Sequence, residues 1–371
     1  MKTCCAVLLL SAVIPAAAVG PEAIDAIFKP LISTHDPGAA VMVRQNGRTV
    51  FLAGYGVCDL RTSKPIRPAT NFRLASVSKQ FTAMAVMLLV HLNKLHYTET
   101  LAELYPDFPS YGRNITIREL LTHTSGLPDY EDLMGPQWSA EHQIDDEQVL
   151  DLLKRQSVAK FAPGSSWSYS NSGYVVLGLI VAKVSGQPFA NFLQDRIFNQ
   201  LRMTSTVVYV NGKNQVHNRA YGYSRNGHGK LVPADQSATS ATLGDGGVYS
   251  NVLDLAKWDD ALRNGSLLDV TETSNAFTPV RLSDGSAPCW PTKPDADNLN
   301  PGKPVSYGFG WFLDPYKGYA RTWHSGSTSG FRTVIERFQQ DRLSTVILSN
   351  RTDLDPTSLA LRMADLFLPA R

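Results

Sequence analysis

Strand-forming patterns lie at the two ends of this chain, with helical patterns between them, and this order most constrains the fold. Near the start, "GAAVMVRQNGRTVFLAGYG" holds two β-rich runs around Asn46-Gly47. This dipeptide is a strong hairpin signal because both residues tolerate positive φ. From Tyr307 onward, strand patterns follow in close succession: "YGFGWFL", "YARTWHSG", "FRTVIERF" and "LSTVILSN". Together they predict one antiparallel sheet built from both chain ends.

Long apolar-periodic runs fill the middle of the chain, separated by Pro and Gly breaks. They predict helices over 76–92, 116–122, 145–156, 172–185 and 188–200. A short helix in "PEAIDAIFKPLIS", perturbed by Pro30, and a final helix in "PTSLALRMADLFL" complete the set. The segment 209–304 is rich in Gly, Asn, Pro and Ser, and "SAPCWPTKPDADNLNPGKP" within it predicts a long loop.

We therefore predict an α+β protein in which an antiparallel β-sheet is flanked by helices. The sheet domain would comprise residues 21–75 and 240–371, and a mainly helical domain, residues 76–239, would be inserted into it. A chain of 371 residues that is 43% hydrophobic can bury a core large enough for two such domains.

Composition narrows the choice of partner. The formal net charge is +2 and no dense run of Lys or Arg occurs, so the chain offers no electrostatic footprint for nucleic acid. The eight histidines are scattered and none is spaced with cysteine as in a zinc site, so we predict no metal and no cofactor. A small-molecule substrate is the expected partner.

The N-terminus has the pattern of a secretory signal peptide over residues 1–20. A charged start at Lys2 precedes an apolar stretch, 6–14, and the small residues 16–18. An uncleaved anchor is the alternative, but the apolar stretch is short for a bilayer. We predict a secreted or periplasmic mature chain without a transmembrane span. It would keep Cys58 and Cys289, which could form one disulfide or remain separate.

Ser76 and Lys79 begin the first long helical run, in "LASVSKQFTAMAVMLLV". Residues three apart on a helix are neighbours, and a Ser hydroxyl needs an adjacent base or cation to act as a nucleophile. Free N–H groups at the helix start would also favour a developing oxyanion. Alternatively, Ser76 is an N-cap. A second Ser-x-x-Lys at Ser157 follows a predicted helix and opens none, so we interpret it as structural.

Two further motifs stand where a cleft could form. Tyr169 and Asn171, in "PGSSWSYSNSGYVV", precede a predicted helix. A tyrosine beside an ammonium can shuttle protons, although the same residues could simply pack and cap the helix. In "TWHSGSTSGF", His324-Ser325-Gly326 ends a predicted strand, and glycine there lets a substrate or backbone approach closely. An ordinary strand end is the alternative.

Taken in order, these motifs resemble those of serine hydrolases of the class C β-lactamase and D-alanyl-D-alanine carboxypeptidase superfamily. Three further stretches look like signature blocks of that superfamily. They are "LLTHTSGLPDY", "FAPGSSWSYSNSGYVVLGLIVAKVSGQPFANFLQDRIFNQLRMTST" and "GDGGVYSNVLDLAKW". The resemblance covers essentially the whole mature chain, and it implies the same fold, with the site between the sheet and the helical domain.

The resemblance also implies a role for each motif residue. Ser76 would be the acylated nucleophile, Lys79 its proton partner and Tyr169 the general base or proton relay. Asn171 would hydrogen-bond the substrate amide or ester. His324 takes the place of the family's usual third-motif lysine. The backbone N–H groups of Ser76 and Ser327 would form the oxyanion hole.

One departure from the family pattern bears on the substrate. His324-Ser325-Gly326 replaces the usual Lys-Thr-Gly, so a permanent cation becomes a group that is mostly neutral at pH 7. We therefore expect a hydrolase of esters, amides or D-amino-acid peptides. A class C-type β-lactamase, a penicillin- or peptidoglycan-binding protein with little turnover, and an acyltransferase remain as alternatives.

Overall fold

The computed structural model describes residues 19–293 and 300–369. Nearly all of the predicted signal peptide, residues 1–18, therefore lies outside the described residues. The helices are α1 (Pro21–Phe28), α2 (Lys79–His91), α3 (Leu101–Leu104), α4 (Ile117–Leu121), α5 (Tyr130–Leu133), α6 (Asp146–Lys154), α7 (Asn171–Ser185), α8 (Phe189–Leu193), α9 (Val252–Asn264), α10 (Val270–Thr273) and α11 (Pro356–Phe367). The strands are β1 (Ala39–Gln45), β2 (Arg48–Tyr55), β3 (Val57–Asp59), β4 (Lys64–Pro65), β5 (Phe72–Arg73), β6 (Val207–Val208), β7 (Tyr223–Arg225), β8 (Leu231–Pro233), β9 (Val248–Ser250), β10 (Thr322–Thr328), β11 (Phe331–Phe338) and β12 (Leu343–Ser349).

The central sheet joins the two ends of the chain, as predicted. Its strand order is β10-β11-β12-β1-β2, and every neighbouring pair is antiparallel. The β1–β2 hairpin turns at Asn46 (φ 53°) and Gly47 (φ 77°), which is the geometry that made Asn-Gly the turn signal. Smaller sheets pair β3 with β4, β5 and β6 with β9, and β7 with β8.

The prediction of a strand in "YGFGWFL" is wrong. In this segment Tyr307 forms an isolated β-bridge with Phe312, and Phe312 forms a second one with Trp323 on β10. Two glycines explain the bend between them. Gly310 has φ 77°, and a Cβ on Gly308 would lie 2.0 Å from the carbonyl oxygen of Ala276. The segment therefore folds as a loop against β10, although its alternating aromatic residues resemble a strand.

Most predicted helices are confirmed with small changes at their ends. The run 76–92 starts as a 3₁₀ turn, Ala75–Ser78, before α2. The run 188–200 divides into α8 and a π-helical turn, Gln194–Phe198. The prediction missed α9, which lies in the segment read as Gly- and Asn-rich. Local signals mark it: Asn251 caps its N-terminus and Gly265 (φ 65°) ends it.

Both faces of the central sheet are buried along β1 and β12, whereas one face of the edge strand β2 is exposed. On β1, Val41 and Val43 belong to an apolar cluster with α1 and α11, whereas Ala40 and Met42 belong to a larger cluster with α2 and α7. This alternation follows the two-residue period of a strand. The 3₁₀ turn before α2 lies on the helical side of the sheet, where it contacts the edge strand β10 and its neighbour β11.

The two cysteines of the predicted mature chain are not bonded to each other. Cys58 is a buried free thiol and Cys289 is an exposed one, so the disulfide alternative is not realised. Among the described residues, no single helix is long and apolar enough to cross a membrane. Only α7 joined to the following helical segment matches by length and composition, and that pair is bent by 79°.

Candidate active site

Ser76 is the second residue of the 3₁₀ turn, Ala75–Ser78, that leads into α2. The N-cap positions of this turn and of α2 are Leu74 and Ser78, so the N-cap interpretation of Ser76 is wrong. Instead, Lys79 Nζ lies 3.0 Å from Ser76 Oγ. The preceding residue, Ala75, has φ 49°, a strained value for a residue with a side chain. This strained turn projects Ser76 into a cleft.

Lys79 is fully buried and connects three parts of the chain. Besides Ser76 Oγ, its Nζ contacts Asn171 Oδ1 at 2.8 Å and the backbone oxygen of Asp245 at 3.0 Å. A lysine ammonium has three protons to donate, and each of these three oxygens can accept one. The sequence predicted the contact with Ser76 from the three-residue spacing. The Asp245 contact was missed because it depends on the tertiary fold.

Tyr169 and Asn171 meet Lys79 from the start of α7. Ser170 is the N-cap, since its side chain accepts a hydrogen bond from the Gly173 N–H at 3.0 Å. Asn171 is therefore the first residue of the helix and does not lie in the loop before it. The Tyr169 ring centroid is 5.0 Å from Lys79 Nζ. Both side chains thus reach the buried ammonium, as predicted.

Strand β10 supplies the opposite wall of the cleft. A Cβ on Gly326 would lie 2.1 Å from the backbone oxygen of Leu74, so glycine permits β10 to pack against the turn that carries Ser76. The N–H and C=O of Trp323 bond outward to Phe312, away from β11. Outward-pointing groups recur every second residue on an antiparallel edge strand. The N–H groups of Ser325 and Ser327 therefore also point outward from the sheet edge, and both residues line the cleft.

His324 lies within β10, not at its end, and it is 1% exposed. Its Nδ1 is 2.7 Å from the backbone oxygen of Ser325, which can only accept, so Nδ1 carries the proton. Nε2 then accepts from the Tyr307 hydroxyl at 3.1 Å. Burial, aided by the positive charge of Lys79, lowers the pKa of His324 to about 3. The ring is therefore neutral at pH 7, as the sequence suggested.

A second buried histidine, His123, was missed as a site residue. Its backbone oxygen accepts from the Ser168 N–H at 3.0 Å, and its Nδ1 accepts from the Ser170 N–H at 3.1 Å. It thus holds the residues on both sides of Tyr169, and its ring centroid is 4.4 Å from that of Tyr169. Its place in the signature block "LLTHTSGLPDY" was the available signal, but no spacing rule assigns it a role.

The cleft has a volume of about 430 Å³, within the usual range for small-molecule sites. All eight predicted site residues lie in or directly behind it. Side chains of both charges face it: Glu131 and Asp245 on the helical side, and Arg73 and Arg332 on the sheet side. Trp290 and Phe312, whose rings stack at 5.6 Å, provide an aromatic wall. This combination suits a polar substrate that carries an apolar group.

The second Ser-x-x-Lys has no such surroundings. Residues 156–159 form no helix, Val158 is 72% exposed, and Lys160 lies 3.9 Å from a carboxylate oxygen of Asp132 on the surface. The structural interpretation of this motif is therefore supported. In the described parts of the chain, no group of three or more His, Cys, Asp or Glu side chains is arranged to hold a metal ion.

Comparison with known proteins agrees with this fold and cleft. The family model described as Beta-lactamase matches residues 24–368. Penicillin-binding protein 4* of Bacillus subtilis is 31% identical over 343 residues, which span 89% of this chain and 72% of that protein. The D-aminopeptidase of Brucella ovis is 28% identical over 315 residues, spanning 85% of this chain but only 56% of that longer protein.

A solved structure shows the same fold. The D-amino acid amidase from Ochrobactrum anthropi SV3 matches with a TM-score of 0.71 and 25% identity, over 92% of this chain and 97% of that one. The chain therefore belongs to the β-lactamase family. It is a β-lactamase-like serine hydrolase with penicillin-binding proteins, D-aminopeptidases and D-amino acid amidases among its relatives.

Proposed function

We propose that this protein hydrolyses amide or ester bonds of D-amino-acid derivatives through an acyl-enzyme on Ser76. The observation that carries the proposal is the contact of buried Lys79 Nζ with Ser76 Oγ, at 3.0 Å, inside a cleft lined by Tyr169 and Asn171. A serine activated by an adjacent basic group is the requirement for nucleophilic catalysis.

The contacts of Lys79 suit proton transfer. Asn171 Oδ1 and the Asp245 backbone oxygen act as acceptors, so they use two of the three protons of an ammonium. If Lys79 loses the third proton, its lone pair faces the Ser76 hydroxyl and can accept from it. Tyr169, with its ring beside the same nitrogen, can relay that proton to the leaving group. Either group could take the proton first.

The covalent step follows from this arrangement. Ser76 Oγ forms a bond to the substrate carbonyl carbon, and the C–N or C–O bond to the leaving group breaks as that group takes up the proton. The oxygen of a water molecule then bonds to the acyl carbon, the C–Oγ bond to Ser76 breaks, and the carboxylic acid product leaves. Ser76 Oγ takes up a proton that came from that water. The outward N–H of Ser327 and the N–H of Ser76 are the proposed donors to the oxyanion.

The lining of the cleft favours a peptide-like substrate over a simple alkyl ester. The Glu131 carboxylate lies 3.4 Å from the Asn171 amide nitrogen, where it can attract a substrate ammonium group. The aromatic wall of Trp290 and Phe312 can accept an apolar side chain. The relatives named as D-aminopeptidase and D-amino acid amidase support the same substrate class.

The neutral state of His324 argues against efficient β-lactamase activity. With a pKa of about 3, this residue supplies no cation for a β-lactam carboxylate at neutral pH. An esterase and a penicillin-binding protein with little turnover are the remaining candidates, and the matched penicillin-binding protein supports the latter. Esterase activity fits the aromatic wall but leaves the charged side chains of the cleft without a role.

The test compares hydrolysis of D- and L-phenylalanine p-nitroanilide, p-nitrophenyl butyrate and a penicillin. We expect kcat/KM for the D-anilide to exceed that for the L-anilide by roughly tenfold or more, as a misplaced scissile bond is costly. Glu131→Gln should raise KM for the D-anilide with a free amino group and should leave KM for the N-acetylated D-anilide unchanged. Turnover of the butyrate without either anilide would identify an esterase, and a lasting penicillin adduct would identify a penicillin-binding protein.

We also propose that the chain is exported, on the basis of the signal-peptide pattern over residues 1–20. Expression of the full chain in a bacterial host, followed by intact mass of the periplasmic fraction, tests this. The mature mass should correspond to cleavage after Ala18 or Gly20. Retention of the uncleaved chain in the cytoplasm would contradict it.

A further inference from the structure

A second cavity, of about 400 Å³, lies away from the catalytic cleft. It is enclosed by the C-terminal half of α9, the segment 270–278 and the turn between β11 and β12. We call it the rear cavity. It shares no lining residue with the cleft: Arg332 on β11 faces the cleft, and Arg337, five residues or about 16 Å further along that strand, faces the rear cavity.

The lining of the rear cavity carries more positive than negative charge. Arg263, Arg337 and Arg342 line it, against one carboxylate, Asp259. Asp259 is already shared: it accepts from Arg44 at 2.9 Å, from Arg337 at 2.8 Å and from Ser344 at 2.8 Å. The cavity therefore has cationic groups that its own carboxylate does not neutralise.

Two of these guanidinium groups have donors left over. Arg337 is 5% exposed, and its Nη1 is buried with no hydrogen-bond partner among the described residues. A buried donor without a partner costs free energy, so this guanidinium has hydrogen-bonding capacity that the described part of the protein does not use. Arg342, at the exposed rim, makes no ion pair with any carboxylate in the described ranges. Arg263 is different, since it pairs with Asp260.

The remaining walls of the rear cavity are apolar. Leu262, Phe277, Phe338 and Leu343 line it, and the exposed Val270 stands at its edge. Apolar walls with a few convergent polar groups are typical of small-ligand sites, and a guanidinium pairs well with a carboxylate. We propose that the rear cavity binds a small organic carboxylate with an aryl or short alkyl body, its carboxylate directed at Arg337 and Arg342.

Calorimetric titration of the full chain tests the proposal with two probes that share one apolar body, hydrocinnamate and phenylpropylamine. We expect hydrocinnamate to bind and the amine to give no binding. Arg342→Gln, at an exposed position, should raise the Kd for hydrocinnamate roughly tenfold, which is a typical effect of losing one charged hydrogen bond. Arg337→Gln should have a similar effect.

Two matched variants locate the bound probe. Arg155→Gln removes an exposed arginine at the end of α6 and should leave the Kd unchanged. Arg332→Gln removes a cation of the catalytic cleft and should also leave it unchanged. A Kd that depends on Arg332 but not on Arg342 overturns the proposal, as do equal affinities for the acid and the amine, or no binding of hydrocinnamate. If Arg337→Gln fails to fold, Arg342→Gln decides the matter alone.

Discussion

His123 holds Tyr169 in place through its backbone and its ring, and this role can be tested by substitution. Asparagine keeps an acceptor oxygen near Nδ1 and tolerates the positive φ of this position (61°), whereas phenylalanine keeps the ring shape but leaves the Ser170 N–H without a partner. We expect His123→Phe to lower kcat about 10- to 100-fold with little change in KM, and His123→Asn to recover much of the loss.

Steady-state kinetics on the best anilide or ester substrate provides the measurement, with circular dichroism as the check on folding. A purely structural role predicts a different pattern. Both variants would then lose thermal stability, while kcat per folded molecule would stay at the wild-type value. That pattern would refute positioning of Tyr169 by His123.

The residues of the proposed catalytic cluster could be named from the sequence, and the structure places them together, but the residues that support them could not. The Ser76–Lys79 contact follows from local helix spacing, so it was accessible. Asp245 contacts Lys79, and His123 contacts Tyr169 and its neighbour Ser170. Each of these contacts joins residues more than 40 positions apart in the chain. Those contacts depend on how α4, α7 and the 240–247 loop pack together, which no local pattern encodes.

At the level of elements, the approach of β10 to the 3₁₀ turn determines the width of the cleft. Gly326→Ala would place a methyl group 2.1 Å from the backbone oxygen of Leu74, so the strand must move away from Ser76. We expect kcat/KM to fall at least about 100-fold, since small displacements in a reactive geometry are costly. The fold should persist because only the edge strand shifts.

Gly227→Ala is the matched control for this prediction. A Cβ at Gly227 meets nothing within 4 Å, and its φ is not in the left-handed region, so activity should be unchanged. The measurement compares kcat/KM and the melting temperature of Gly326→Ala and Gly227→Ala with those of the wild type. Wild-type activity in Gly326→Ala would show that the close approach of β10 is not required.

The elements that the sequence predicted well are long apolar runs bounded by turn or capping signals. Helices α2 and α7 are buried on most sides, and strands β11 and β12 are buried on both faces. Helix α6 has the one-sided apolar pattern of a surface helix. The "YGFGWFL" segment has the alternation of a strand but folds as a loop, because Gly308 and Gly310 bring it against Ala276 and α2. Helix α9 was missed because the surrounding Gly, Asn and Pro residues masked its capping signals.

At the scale of the whole molecule, buried titratable groups make the stability depend on pH. His324, with a pKa lowered to about 3 by burial, is neutral in the folded protein but gains a proton on unfolding below about pH 6.5. The contribution of neutral His324 to the free energy of unfolding is therefore fully present above pH 6.5 and is lost as pH falls toward 3. Between these values, this one residue changes the free energy of unfolding by up to about 1.4 kcal/mol per pH unit.

Glu336 acts in the opposite direction. Burial raises the pKa of this β11 carboxyl to about 8, so its contribution is present below about pH 4.5 and is lost as pH rises to 8. We predict that His324→Asn makes the unfolding free energy less sensitive to acid between pH 6.5 and 4.5. Glu336→Gln should make it more sensitive. Urea unfolding at several pH values measures both, and equal slopes for all three proteins would contradict the prediction.

The central claim, acylation of Ser76, is tested most directly by intact mass against time after mixing with a p-nitrophenyl ester. The wild type and three single variants would be compared: Ser76→Ala, Lys79→Ala and Ser157→Ala. Ser157 begins the second Ser-x-x-Lys, so it controls for any chemistry of the motif outside the cleft.

We predict one acyl adduct on the wild type and on Ser157→Ala, none on Ser76→Ala, and a strongly slowed adduct on Lys79→Ala. An adduct of the same mass and rate on Ser76→Ala would contradict the assignment of the nucleophile and, with it, the proposed mechanism.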